Sequence, residues 1–273
     1  MKFYLTIILT FLAYLIYAQP NCNYFLHTGD SLKYEACKET ENAQGYYQFS
    51  KEFQTVMDNA IEIDPTFAYA YRAKSVAYLK SGDFLQWKRL IDLAVKYDSI
   101  GNLGYRASCM YQFFNAYAGA IADIEALSRM THEDIGHSAN GVYHLEVVRA
   151  LCYRALGNKQ KAIDIMEGQL ASEDYLIGIY DYIHLGVLYL ELEEFDKAKE
   201  YFEKQVEYND LAENHFYMVK VLKAQDKIEE AKLEMEKAIA LYQKGYVLDD
   251  LYVYATDKVY WSMIEEERES LNQ

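Results

Sequence analysis

The sequence predicts an all-α chain: a right-handed α-solenoid of about six helical hairpins with a C-terminal capping helix. Three observations predict it. The 273 residues include two prolines, Pro20 and Pro65, so few breakers interrupt helix. Three residue series share one set of spacings. The position early in each second helix (Phe53, Trp87, Ala120, Ala162, Ala198, Ala231) recurs at steps of 34, 33, 42, 36 and 33. The position late in each first helix (Gln44, Tyr78, Tyr111, Tyr153, Tyr189, Leu222) keeps those steps, and so do Met57, Ile91, Ile124, Met166, Phe202 and Met235. Finally, Gly82, Asn115 and Gly157 stand between paired helices, where a turn is needed.

Residues 1–18, MKFYLTIILTFLAYLIYA, read as a secretory signal peptide. Lys2 supplies the positive start, and Phe3 to Tyr17 is apolar but short of the ~20 residues of a membrane span. Ala18 stands where cleavage is expected. No stable membrane span is expected after cleavage, and the mature chain is expected to be secreted, periplasmic or extracellular. Residues 19–33 form an N-terminal lead. The repeats occupy 34–242 and begin with helices from about Tyr34 to Ala43 and Tyr47 to Ile63. Asp64-Pro65 ends that first hairpin, because proline disfavours helix in the residue before it. The step of 42 marks an insertion within 128–141, a polar loop with two glycines. From 243 to 273 the pattern changes. This segment should cap the array with a helix over about Val259–Leu271, its aromatic residues packed on the last hairpin.

From Tyr180 to Asp210, Tyr182, Leu185, Gly186 and Tyr189 mark a first helix, and Phe195, Ala198 and Phe202 mark a second. In that order they resemble the tetratricopeptide repeat, a helical hairpin of about 34 residues. The resemblance weakens at Phe53 and Trp87, where alanine is expected, and in the first hairpin, where Glu41 and Gln44 replace small or apolar residues. It implies that first helices line a concave groove. In its frame the inward positions include Arg72; Tyr105 and Gln112; Val147 and Arg154; Ile183 and Val187; Phe216, Lys220 and Lys223. Those residues are the candidate binding site for a peptide or partner protein, apolar with a few cations. The family's best-known groove chemistry, Lys and Asn clamping a C-terminal carboxylate, is not reproduced at these positions.

A formal charge of -15 argues against nucleic acid and anionic lipid as partners. No nucleophile elbow, phosphate loop or dinucleotide fingerprint is present, so no enzyme activity, cofactor or metal is expected. His132, His137 and His144 lack the H-E-x-x-H spacing and read as exposed loop histidines, with His144 belonging to the next helix. The leading reading is a non-enzymatic scaffold. The alternatives are a structural subunit of an envelope complex, or a metal-binding or enzymatic protein using the 128–141 loop. Four cysteines allow three full pairings. Cys22 and Cys37 lie close together ahead of the clear repeats and are expected to form a disulfide in an exported chain. Cys109 and Cys152 sit in apolar helical patterns and are expected to be buried free thiols.

Overall fold

The computed structural model describes residues 20–250 and 252–272. The signal-peptide reading of residues 1–18 lies outside them. Among the described residues there is no strand, only an isolated bridge between His137 and His144. No described helix is long and apolar enough to cross a membrane. The chain divides after Tyr97 into two compact units.

The first unit contains α1 (Cys22–His27), α2 (Ser31–Thr40), α3 (Lys51–Ile63), α4 (Ala68–Ser81) and α5 (Phe84–Tyr97). The helix α1 falls inside the lead; its six residues are too few to show a helical period. Cys22 on α1 is disulfide-bonded to Cys37 on α2, with Cα atoms 5.5 Å apart. Helix starts are set by side-chain caps. Asp30 accepts the Lys33 N–H at 3.1 Å, and Ser50 accepts the Phe53 N–H at 3.1 Å. The helix α3 stops at Asp64, whose carboxylate accepts the N–H and hydroxyl of Thr66 just past Pro65. α2 pairs with α3, and α4 with α5. Ala36, Met57, Ala60, Phe67 and Ala70 form a core against which the disulfide packs. Trp87 is fully buried although the repeat pattern favours alanine there.

The second unit holds four hairpins: α6 (Ser99–Phe114) with α7 (Tyr117–Met130), α8 (Leu145–Ala155) with α9 (Lys159–Leu170), α10 (Asp181–Glu191) with α11 (Phe195–Tyr208), and α12 (Ala212–Ala224) with α13 (Ile228–Gln243). A last helix, α14 (Trp261–Ser270), follows. Each hairpin turn contains a left-handed residue: Asn115, Gly157, Glu193 and Asp226, with φ of 52°, 84°, 60° and 57°. This conformation reverses the chain within a few residues. Ala120, Ala162, Ala198 and Ala231 are all completely buried, so the small residues of the repeat lie where paired helices approach. Gly186 shows why no larger residue fits on α10: a Cβ there would meet the Phe202 ring at 2.5 Å. The guanidinium of Arg106 ties α6 to α7 through two 2.7 Å bonds to Asp123.

Candidate functional site

In the second unit, first helices α6, α8, α10 and α12 supply side chains to one common partner, the chain's own residues 247–260. This segment, termed the strap, links α13 to α14. It forms no regular element among its described residues.

Its two ends are held by one carboxylate. Glu213, in the first turn of α12 and fully buried, accepts the Leu248 N–H on Oε2 at 2.9 Å and the Val259 N–H on Oε1 at 3.2 Å. Leu248 and Val259 are themselves completely buried. Burial raises the Glu213 pKa above its ordinary value, against the opposing pull of those two N–H groups.

Between these ends lies Asp257, whose side chain is 4% exposed. Arg154 from α8 grips both of its oxygens, at 2.7 and 2.8 Å. His184 from α10 meets Oδ2 through Nδ1 at 2.7 Å. With the carboxylate ionised, Nδ1 carries the hydrogen. Tyr217 from α12 donates its hydroxyl to the Asp257 carbonyl at 3.2 Å. Burial opposes the charge on Asp257, but the His184 hydrogen bond and the Arg154 charge outweigh it, and the pKa is lowered. Asp257 adopts φ 65°, a left-handed conformation uncommon for a residue with a side chain, so the surrounding bonds hold it there.

Further along, Tyr111 on α6 shares a 2.6 Å hydrogen bond with the Thr256 hydroxyl, and burial pushes the Tyr111 pKa well up. Asp250 accepts from Asn140 at 2.6 Å and from Gln112 at 3.4 Å. Asn140 belongs to the insertion, so the inserted loop braces the strap. Ser108 on α6 secures that loop by accepting the Ala139 N–H at 2.9 Å. Beyond the strap, Lys220 and Lys223 bond Glu267 of α14 at 2.6 and 2.9 Å.

The sequence-predicted site residues therefore fall into three groups. Gln112, Arg154, Lys220 and Lys223 face the C-terminal segment, and the cations among them are already paired. Arg154 also bonds Glu191, while Lys220 lies over the Phe216 ring. Val147, Ile183, Val187 and Phe216 are buried and present no surface to a partner in this arrangement. Tyr105 is half-buried on α6, and Arg72 sits on α4 in the first unit. Of the C-terminal aromatic residues, Trp261 packs on Tyr242 of α13 as expected, while Tyr254 stands beside Tyr111 and Gln112 of α6 and is largely exposed. An extended run from Leu248 to Asp257 can reach about 30 Å, which lets the strap meet helices of all four hairpins.

Sequence reasoning missed His184, Glu213, Tyr217, Asp250 and Asp257. Arg154 offered one signal: an arginine at an inward position needs a carboxylate, and 243–273 is rich in them.

The three histidines divide between the inserted loop and the helix that follows it. His132 and His137 are exposed, but His144 is buried. It caps α8 by accepting the Glu146 N–H at 3.1 Å on Nδ1, while Nε2 meets Asp134 at 2.6 Å. That bond holds the Asp134 pKa below its ordinary value. These residues line a cavity of about 410 Å³. Among the described residues, no three His, Cys, Asp or Glu side chains are grouped to hold a metal ion. Cys109 and Cys152 are buried free thiols, and burial pushes the Cys152 pKa up to about 12.

Comparison with known proteins identifies residues 182–210 as a tetratricopeptide repeat. No curated protein matches the chain in sequence. Among solved structures, PilW, described as a widely conserved type IV pilus biogenesis factor, aligns with a TM-score of 0.61 at 15% identity, covering 88% of this chain and 99% of that one. PilF of Pseudomonas aeruginosa aligns at 0.55 and 16% identity, covering 81% and 89%. YrrB, described as a tetratricopeptide protein with an unusual peptide-binding site, aligns at 0.52 and 16% identity, covering 68% and 92%. At such identities the likeness is one of fold: all-α tetratricopeptide hairpins, six among the described residues, with a terminal helix.

Proposed function

We propose that this chain, a tetratricopeptide-repeat protein by fold, is an exported, non-enzymatic scaffold that holds an extended segment of a partner protein across the first helices of its second unit. The observation that carries this reading is the strap. Helices α6, α8, α10 and α12 together bind a non-helical stretch of polypeptide: α12 mainly through its backbone, α8 and α10 through the buried Asp257 carboxylate, and α6 through Thr256 and Asp250. Main-chain bonds supply hold and a single side-chain pocket supplies selection, as in other modes of extended-peptide recognition. The peptide-binding site named for YrrB lends support by fold, and PilW, a type IV pilus biogenesis factor, makes an envelope assembly the first place to look. The signal-like residues 1–18 support export.

The test is a photo-reactive amino acid at Gln112, with a control at the exposed Leu233 on α13. In the native cell, Gln112 should trap a protein partner as well as the strap. Sequencing the mature N-terminus would report on export. Adducts obtained only from position 233 would place the partner elsewhere and sink the reading.

A further inference from the structure

We infer that the partner is recognised by an aspartate side chain on an extended segment, and that the strap occupies this site as an internal copy which the partner displaces. The inference rests on the scaffold reading above and adds the chemistry of the ligand.

The pocket for the carboxylate belongs to the repeats. Arg154 and His184, which hold the carboxylate, and Tyr217, which holds the main-chain carbonyl of the same residue, come from three successive hairpins, each on the first helix of its own. None of them is contributed by the strap, so the hairpins carry the whole donor set whether or not the strap is in place. Arg154 contributes a planar fork matched to a carboxylate, and His184 a fixed ring donor. A glutamate would put its carboxylate one methylene further from a backbone that Tyr217 holds at the carbonyl.

Most of the remaining hold ignores sequence. Glu213 bonds the N–H groups of Leu248 and Val259, which any residue but proline can offer. Among its described residues the strap buries few side chains of its own. Leu248 and Val259 are covered, while Tyr252 and Tyr254 are 61% and 88% exposed. A foreign segment with an aspartate and two apolar anchors can therefore reproduce the bonds of Glu213, Arg154, His184 and Tyr217, and forgoes only those that Asp250 and Thr256 make through their side chains.

Charge points the same way. The strap brings Asp249, Asp250 and Asp257, three of the carboxylates behind the formal charge of -15, to the groove. Its departure exposes Arg154 and His184 in acidic surroundings, a local attraction for another carboxylate. The strap is tethered at both ends and competes at millimolar effective concentration. Apparent affinity for a free peptide is cut by the fraction of time the strap is out.

The test uses the full chain and a labelled synthetic peptide of residues 247–260, read by fluorescence anisotropy. The Asp257→Ala chain, its strap loosened, should bind the peptide about 100-fold more tightly than the unaltered chain. Binding should vanish when Arg154→Ala is added, and when the peptide's own Asp257 is replaced by asparagine. Failure of the loosened chain to bind, or binding indifferent to the peptide's aspartate, overturns the inference. If circular dichroism shows Asp257→Ala to be unfolded, a protease site placed between Lys244 and Gly245 is cut after folding. The cut frees one end of the strap, so the cut chain should bind the labelled peptide more tightly than the uncut chain, and equal binding overturns the inference as well. Peptide failure with intact Gln112 cross-links removes the aspartate chemistry alone. Peptide success with no Gln112 partner removes the scaffold reading alone.

Discussion

Replacing Arg154 by alanine removes the strongest link between the repeats and the strap. Its side chain is 13% exposed and that of Asp257 is 4% exposed, so the pair is withdrawn from water. Removing one partner of such a pair costs about 3–5 kcal/mol, because the other charge stays buried without compensation. His184 still bonds Asp257, which places the loss near about 3 kcal/mol. The Arg154 bond to Glu191 adds little, since Glu191 is 31% exposed and pairs of that kind contribute about 0–1 kcal/mol. A double-mutant cycle separates the two. Arg154→Ala with Asp257→Ala should show a coupling of about 2 kcal/mol, and Arg154→Ala with Glu191→Ala less than about 1 kcal/mol. Urea unfolding supplies the energies. Hydrogen exchange at the Leu248 and Val259 amides locates the loss in the strap. Equal couplings for the two pairs, or unchanged amide protection in Arg154→Ala, would refute the assignment of Asp257 as the anchored residue.

The same two carboxylates predict a pH dependence with a maximum. The folded pKa of Glu213 is raised above 4.5, so its contribution is present below that value and lost as pH rises through the folded pKa. The folded pKa of Asp257 is lowered below 3.8, so its contribution is present above that value and lost as pH falls through the folded pKa. Amide protection of the strap should rise on mild acidification and fall in stronger acid. Glu213→Gln should flatten the first limb and Asp257→Asn the second, and a profile unchanged by both variants contradicts the assignment. Reduction, or Cys22→Ser, should lower the stability of the first unit by about 3 kcal/mol, from the closed loop of 15 residues. Calorimetry showing no loss would mean the disulfide does not constrain that unit. Gly186→Ala should cost about 1–3 kcal/mol through the 2.5 Å approach to Phe202, partly relieved by Phe202→Leu. Denaturant midpoints unchanged in the single variant would disprove the tight approach.

The hairpins were legible because their determinants are local. Ala120, Ala162, Ala198 and Ala231 sit at contacts between helices adjacent in sequence, and the turn residues close each pair within a few positions. Periodicity reports such contacts directly. The candidate site was legible in part. Arg154 stood out as a cation at an inward position, while Val147, Ile183, Val187 and Phe216 fit a groove or a core equally well by pattern. An apolar side chain on a first helix satisfies either environment, and only packing distinguishes them.

By itself, the sequence determined the helical class, the hairpin register, the position of the insertion and the break near Tyr242. The tertiary structure decided what fills the groove. Asp257 lies 103 residues from Arg154 and 73 from His184, and Asp250 lies 110 from Asn140. Such pairs leave no periodic trace, because each needs one charge or one donor at one point in space rather than a face repeated along a helix. The strap has no regular structure to announce it, and its carboxylates look like any others in an acidic chain. Only the return of the chain across four first helices sets an aspartate between an arginine and a histidine, where loss of solvent makes the pairing strong enough to hold.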